Sequence, residues 1–168
     1  PESGNDFNVS MLFDDNGYVD RYRKNILIPF GEYFPGDFLY PDIYKKFPVL
    51  NHFSSGGEQK VLVNRRGVRA AFIPLICYEL LSESFVNQFV DSARKNYPDF
   101  PIVIVNQTND SWFGPTSQPY LHAQLHRWHA ARLKLPIIRS TNTGISQLVA
   151  PWGESLISCL LYTSPSPR

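Results

Sequence analysis

The feature that most constrains this 168-residue sequence is a short run, Pro101-Ile-Val-Ile-Val-Asn106, set between two stretches of helical character. Four consecutive β-branched residues are stiff in a helix and pack well on a pleated surface, so the run predicts a strand buried on both faces. Ahead of it, Leu81, Phe85, Phe89 and Ala93 recur every four positions, with Val86 and Val90 beside them. That is the apolar stripe of an amphipathic helix spanning 79–97. Behind the run, Tyr120 to Leu135 predicts a second helix and Pro136-Ile-Ile-Arg-Ser-Thr141 a further strand. Asn142-Thr-Gly144 then turns the chain into a strand from Ile145 to Val149. Strands alternating with helices that bury one face give a mixed α/β layer architecture.

The N-terminal half adds two hairpins. Asn8-Val-Ser-Met-Leu-Phe13 and Tyr18-Val-Asp-Arg-Tyr22 flank the turn Asp14-Asp-Asn-Gly17, and Gln59–Val63 and Val68–Ile76 flank Asn64-Arg-Arg-Gly67. Between them, residues 29–59 hold four prolines (Pro29, Pro35, Pro41, Pro48) and four glycines (Gly31, Gly36, Gly56, Gly57), which predicts an extended surface loop. The 16 basic and 15 acidic side chains are mixed along the sequence with no basic stripe to follow phosphates, so nucleic acid is not an expected partner. No apolar run approaches the roughly 20 residues that span a bilayer. The first residue is Pro1, so an N-terminal portion is expected to lie outside this sequence. Composition shifts abruptly at Cys159-Leu-Leu-Tyr-Thr-Ser-Pro-Ser-Pro-Arg168, which resembles a translated sequencing adapter. The expected organisation is one partial domain over 1–158 and a foreign tail over 159–168, leaving Cys77 as the domain's cysteine.

Cys77 stands where an apolar strand meets a helix, in Ile76-Cys-Tyr-Glu79. Such a junction exposes a side chain at the sheet end and aims helical N–H groups at it, which suits a nucleophile, although a buried cysteine also serves as a small hydrophobe. Lys24 follows the first hairpin, and Glu32 follows it by eight positions in Pro29-Phe-Gly-Glu32, where Gly31 allows a tight bend. Each is compatible with solvent. Together, a carboxylate holding an amine beside a thiol makes an activated nucleophile. The loop Asn109-Asp-Ser-Trp-Phe-Gly114 follows a buried strand, the usual place for ligands in α/β sheets, while Trp112 alone could plug a core. His122, His126 and His129 share one helix, but His122-Ala-Gln-Leu-His126 lacks the glutamate of a zinc-protease motif, so a structural role is expected for them.

Four segments in order carry a family resemblance: Tyr22-Arg-Lys-Asn-Ile-Leu-Ile-Pro-Phe-Gly-Glu-Tyr-Phe-Pro35, Ile76-Cys-Tyr-Glu79, Asn109-Asp-Ser-Trp-Phe-Gly114 and Arg139-Ser-Thr-Asn-Thr-Gly-Ile-Ser146. They resemble the carbon–nitrogen hydrolase (nitrilase) superfamily and, within it, the apolipoprotein N-acyltransferase branch. The resemblance implies a nitrilase-type αββα sandwich, incomplete here at the N-terminus, and a Glu-Lys-Cys catalytic set. On it, Cys77 matches the nucleophile, Lys24 the catalytic lysine and Glu32 an auxiliary acid. Tyr78, Glu79, Trp112 and Phe113 fall where substrate-contacting residues are expected. The general-base glutamate of the family lies further upstream than Glu2, which is left unassigned, so the chain alone is expected to be inactive. The implied reaction moves an acyl chain from a phospholipid, through a Cys77 thioester, to the N-terminal amine of a lipoprotein, without metal or organic cofactor. The implied location is the periplasmic side of a bacterial inner membrane, anchored through segments absent here. A soluble nitrilase-type amidase, or a catalytically silent module, are the alternatives.

Overall fold

A computed structural model describes residues 6–36, 39, 42–46, 52–114 and 116–161, without the side chains of Ile43, Lys45 and Trp112. The first hairpin forms as expected from β1 (Val9–Asp14) and β2 (Gly17–Arg23), an antiparallel pair turning at Gly17, whose φ of 111° suits glycine. In the proline- and glycine-rich region that follows, the longest regular element among the described residues is a one-turn helix, α1 (Ile43–Lys46).

The remaining strands build one mixed sheet in the order β3 (Leu62–Asn64), β4 (Ala70–Ile76), β5 (Ile102–Thr108), β6 (Ile137–Thr141), β7 (Gly144–Val149) and β8 (Ser155–Leu161). The β4–β5 and β5–β6 pairs are parallel and the outer pairs antiparallel. Parallel neighbours need long crossovers. Helices α2 (Glu83–Asn96) and α3 (Gln118–Leu133) supply them.

Register separates the two faces of the sheet. Ile73, Ile104, Ile137 and Val149 pair in one row across four strands, and each is fully buried. They share a core with Val86, Phe89, Val90 and Ala93 of α2 and with Ala130 and Leu133 of α3, so both helices cover this face. One residue further along, Pro74, Val105, Ile138, Leu148 and Ile157 form a row on the opposite face. No helix of the described residues covers it, and Ile138 and Ile157 are 39% and 65% exposed. On the covered face, the next row toward the C-terminal ends of β4 and β5 is Leu75, Asn106, Arg139 and Gln147. All four are buried, and three are polar.

Several boundaries differ from those expected. The helix foreseen from Glu79 begins at Glu83, because Cys77–Leu81 winds as a tighter 3-10 turn and Ser82 takes an extended conformation before the α-helix starts. Leu81 therefore drops out of the apolar stripe and is 40% exposed. Strand β5 is sealed on one face only: Ile104 and Asn106 are buried, whereas Val103 and Val105 are half-buried on the face without helices. The second hairpin is shorter than its sequence suggests, with β3 only three residues long. The seven-residue strand β8 has no counterpart in the sequence reading, and it includes Cys159, Leu160 and Leu161, the first residues of the segment set apart by composition.

Candidate active site

Cys77 sits where β4 ends and the 3-10 turn begins, at φ 56°. A left-handed backbone at a non-glycine residue costs energy and persists where its surroundings hold it. Here the turn swings the side chain out of the sheet plane into a cavity of about 570 Å³. Lys24, Glu32, Cys77, Tyr78, Phe113 and Asn142 all line it. Four of the residues singled out by sequence thus meet Cys77 in one space. A groove of about 640 Å³ between the first hairpin, β3 and α2 is larger but has no cysteine in its lining.

Lys24 leaves the end of β2 and is 1% exposed, with its Nζ donating to both oxygens of Glu32 at 2.8 and 2.7 Å. A buried ammonium needs such a partner. Glu32 also accepts from the Ile28 N–H at 2.8 Å and from the Asn8 amide, which ties the hairpin to the loop that follows it. The loop turns tightly at 28–33, but the left-handed residue is Phe30, at φ 62°, and not Gly31.

Glu79 is not in the cavity lining; it lies buried beneath the nucleophile's turn. Its Oε1 accepts from the Tyr22 hydroxyl and from the N–H groups of Asn25 and Ile26, and its Oε2 accepts from the Ile76 N–H. Burial raises its pKa, while the Ile76, Asn25, Tyr22 and Ile26 bonds pull the other way. The same carboxylate, after burial, raises the pKa of Tyr22. Glu79 therefore pins the segment that follows Lys24 to the end of the strand that leads into Cys77. Tyr78 stacks on His122 at 5.8 Å and meets Phe113 edge-on, and its own pKa is raised by burial and then by Cys77 and Asp110. Trp112 belongs to the 3-10 turn Ser111–Phe113, but its side chain lies outside the described residues.

Sequence reasoning passed over a buried polar network behind the cavity. Arg139 donates to Asp110 Oδ2 at 2.5 Å, both side chains being fully buried, and to the Ile145 carbonyl at 2.9 Å. Burial lowers the Arg139 pKa, and the Asp110 charge opposes that shift without cancelling it. Asp110 Oδ1 meets His122 Nδ1 at 3.1 Å. Gly144 is the partner in that fit, since a Cβ there would lie 2.7 Å from Asp110 Oδ2. His126 faces the His122 carbonyl through Nδ1 at 2.7 Å and Asn106 Oδ1 through Nε2 at 2.8 Å. Both nitrogens face acceptors, a demand for protons that burial and the Arg139 guanidinium oppose by holding its pKa well below the ordinary value. The histidines act within this network, and among the described residues no group of three or more His, Cys, Asp or Glu is arranged to hold a metal ion. The i, i+4 spacing of His122 and His126 was the visible signal; their partners on β5 and β6 were not.

The sequence profile of the carbon-nitrogen hydrolase family matches residues 2–159. The chain belongs to that family. It is 35% identical over 139 residues to the apolipoprotein N-acyltransferase of Haemophilus influenzae, covering 82% of this chain and 25% of that protein. It is 36% identical over 158 residues to the Bradyrhizobium diazoefficiens apolipoprotein N-acyltransferase, covering 90% and 27%. The chain thus spans about a quarter of these relatives' length. Among solved structures, it is similar in fold to a glutamine-dependent NAD+ synthetase from Acinetobacter baumannii (TM-score 0.62, 17% identity, 95% of this chain and 27% of that one). A Nesterenkonia AN1 amidase of the nitrilase superfamily matches at TM-score 0.57 and 17% identity, over 92% of this chain and 51% of that one. The α/β sandwich of a mixed sheet and helices described above is the nitrilase-type fold. No helix of the described residues is long and apolar enough to cross a membrane.

Proposed function

We propose that Cys77 is the nucleophile of an acyl-transfer reaction, with Lys24 as its electrostatic partner and Glu32 as the acid that holds the lysine. The observation carrying this reading is the strained, cavity-facing Cys77 turn sharing one space with a buried Lys24–Glu32 ion pair. Sγ attacks an acyl carbonyl, the C–S bond forms, and the bond to the leaving alcohol or amine breaks with a proton delivered to that group. Lys24 stabilises the tetrahedral oxyanion, and the Tyr78 N–H is its second donor. The proton is carried by a general base outside the residues assigned here.

For the acceptor, the sequence relatives favour an amine: the thioester carbonyl is attacked by the N-terminal amine of a lipoprotein, after a phospholipid has donated the chain. The periplasmic, membrane-anchored setting belongs to the same reading. The second reading takes water as acceptor, as in an amidase, and is favoured by how much of this chain the amidase fold covers. Both share the first half-reaction. Incubating the full-length protein with a phospholipid or an amide, and mapping the adduct by mass spectrometry, tests them. A thioester on Cys77 that persists until an amine is added supports the transferase. Rapid turnover of amide to free acid supports the amidase, and absence of any Cys77 adduct overturns both.

A further inference from the structure

Asn106 lies in the buried polar row beside the nucleophile's strand and is fully buried. Its amide NH2 donates to the Leu75 and Cys77 carbonyls, both at 3.2 Å, and its Oδ1 faces His126 Nε2 at 2.8 Å. Carbonyl oxygens only accept, so the NH2 end is fixed toward the backbone and Oδ1 is turned to His126 Nε2, which donates to it in the tautomer that carries the proton there. One side chain therefore grips two peptide units. The unit joining Leu75 to Ile76 is held at its carbonyl by Asn106 and at its N–H by Glu79 Oε2. The unit joining Cys77 to Tyr78 is held at its carbonyl by Asn106. A peptide unit is planar, so fixing the carbonyl fixes the direction of the N–H on its other end. That N–H belongs to Tyr78. A donor on the carbonyl also polarises the unit and strengthens the N–H as a donor.

We propose that Asn106, oriented by His126, is a positioning residue that aims the Tyr78 N–H at the oxyanion formed when Cys77 attacks an acyl carbonyl. The inference rests on the acyl-transfer reading of Cys77. In that step the C–S bond forms and the carbonyl π pair moves onto oxygen, and the aimed N–H donates a hydrogen bond to the resulting oxyanion. Alkylation of the same sulfur by iodoacetamide displaces iodide at a saturated carbon and develops no oxyanion. The two reactions share the nucleophile and differ in the need for the aimed donor.

The test compares both reactions at Cys77 in the full-length protein, with labelling assigned to Cys77 by peptide mapping. Acylation is read as nitrophenolate release from a p-nitrophenyl ester of a short fatty acid, alkylation as the rate of iodoacetamide labelling. For Asn106→Ser and His126→Leu we expect acylation to fall about 10-fold or more, since losing an oxyanion donor outright costs about 100-fold or more, with alkylation within about twofold of the parent. His126→Gln, whose amide can still donate to Asn106, restores most of the acylation rate. Should His126→Leu not fold, His126→Gln and the shorter His126→Asn carry the comparison, and equal acylation by the two overturns the proposal. A parallel fall in both reactions marks a merely structural role and overturns it, as does unchanged acylation. A parent that is alkylated at Cys77 yet never acylated overturns the acyl-transfer reading and the proposal with it.

Discussion

Ile137 and Ile138 are neighbours of one residue type on one strand, yet the first is fully buried under α3 and the second is 39% exposed. The contrast extends across the sheet, from Ile73, Ile104 and Val149 on one side to Val105, Leu148 and Ile157 on the other. Apolar side chains alone do not make a core; what seals them is the pair of crossover helices, and both lie on the same face. The opposite row is built like a core but is only partly covered among the described residues, with Pro74 buried, Val105 and Leu148 half-buried, and Ile138 and Ile157 exposed. An αββα sandwich stacks a second sheet about 10 Å from such a row. The covered face also does two jobs along its length, holding apolar rows at one end and a hydrogen-bonded polar row where it reaches Cys77.

The largest effect expected on the covered face comes from its polar end. Asp110→Ala leaves the fully buried Arg139 without its carboxylate and should cost about 3–5 kcal/mol in urea unfolding. A loss under about 1 kcal/mol would mean water reaches this row as it does the other face. Next, Ile104→Ala should cost about 2–5 kcal/mol, the usual range for truncating a sealed aliphatic core residue.

The third prediction concerns pH. Burial, and then the Arg132 charge, lower the His129 pKa to about 4. In the unfolded chain its pKa is near 6.5, so the unfolded state binds more protons between these values. Stability from this site is complete above about pH 6.5, declines as pH falls, and levels off near 4. The decline is on the order of 3 kcal/mol. Measuring thermal unfolding of the parent and of His129→Gln across that window isolates it; parallel curves would refute the assignment. The smallest effect belongs to the open face. Ile138→Thr should change stability by about 0.5 kcal/mol or less in this chain, and a cost comparable to that at Ile104 would reveal a cover over the row.

The covered apolar face was legible in the sequence because its signals are local: a four-residue period at Phe85, Phe89 and Ala93, and the β-branched run at 102–105. Cys77, Lys24 and Glu32 were legible through their setting at element junctions and through the matched segments. The polar row was not. Asn106, Arg139 and Gln147 lie on three different strands, and only register brings them into line under His126. Glu79 turns away from the cavity, and its place next to the nucleophile in sequence does not decide which side of a 3-10 turn its side chain takes. Strand β8 was missed because its apolar residues are exposed and alternate with nothing polar enough to mark a face.

The left-handed backbone at Cys77 has a consequence for how such a chain can drift. Glycine adopts that conformation freely, so the substitution that relaxes the turn is also the one that deletes the sulfur. Selection for a well-behaved protein and selection for a working one pull in opposite directions at this single codon, and a lineage released from its chemistry would be expected to lose the thiol there early.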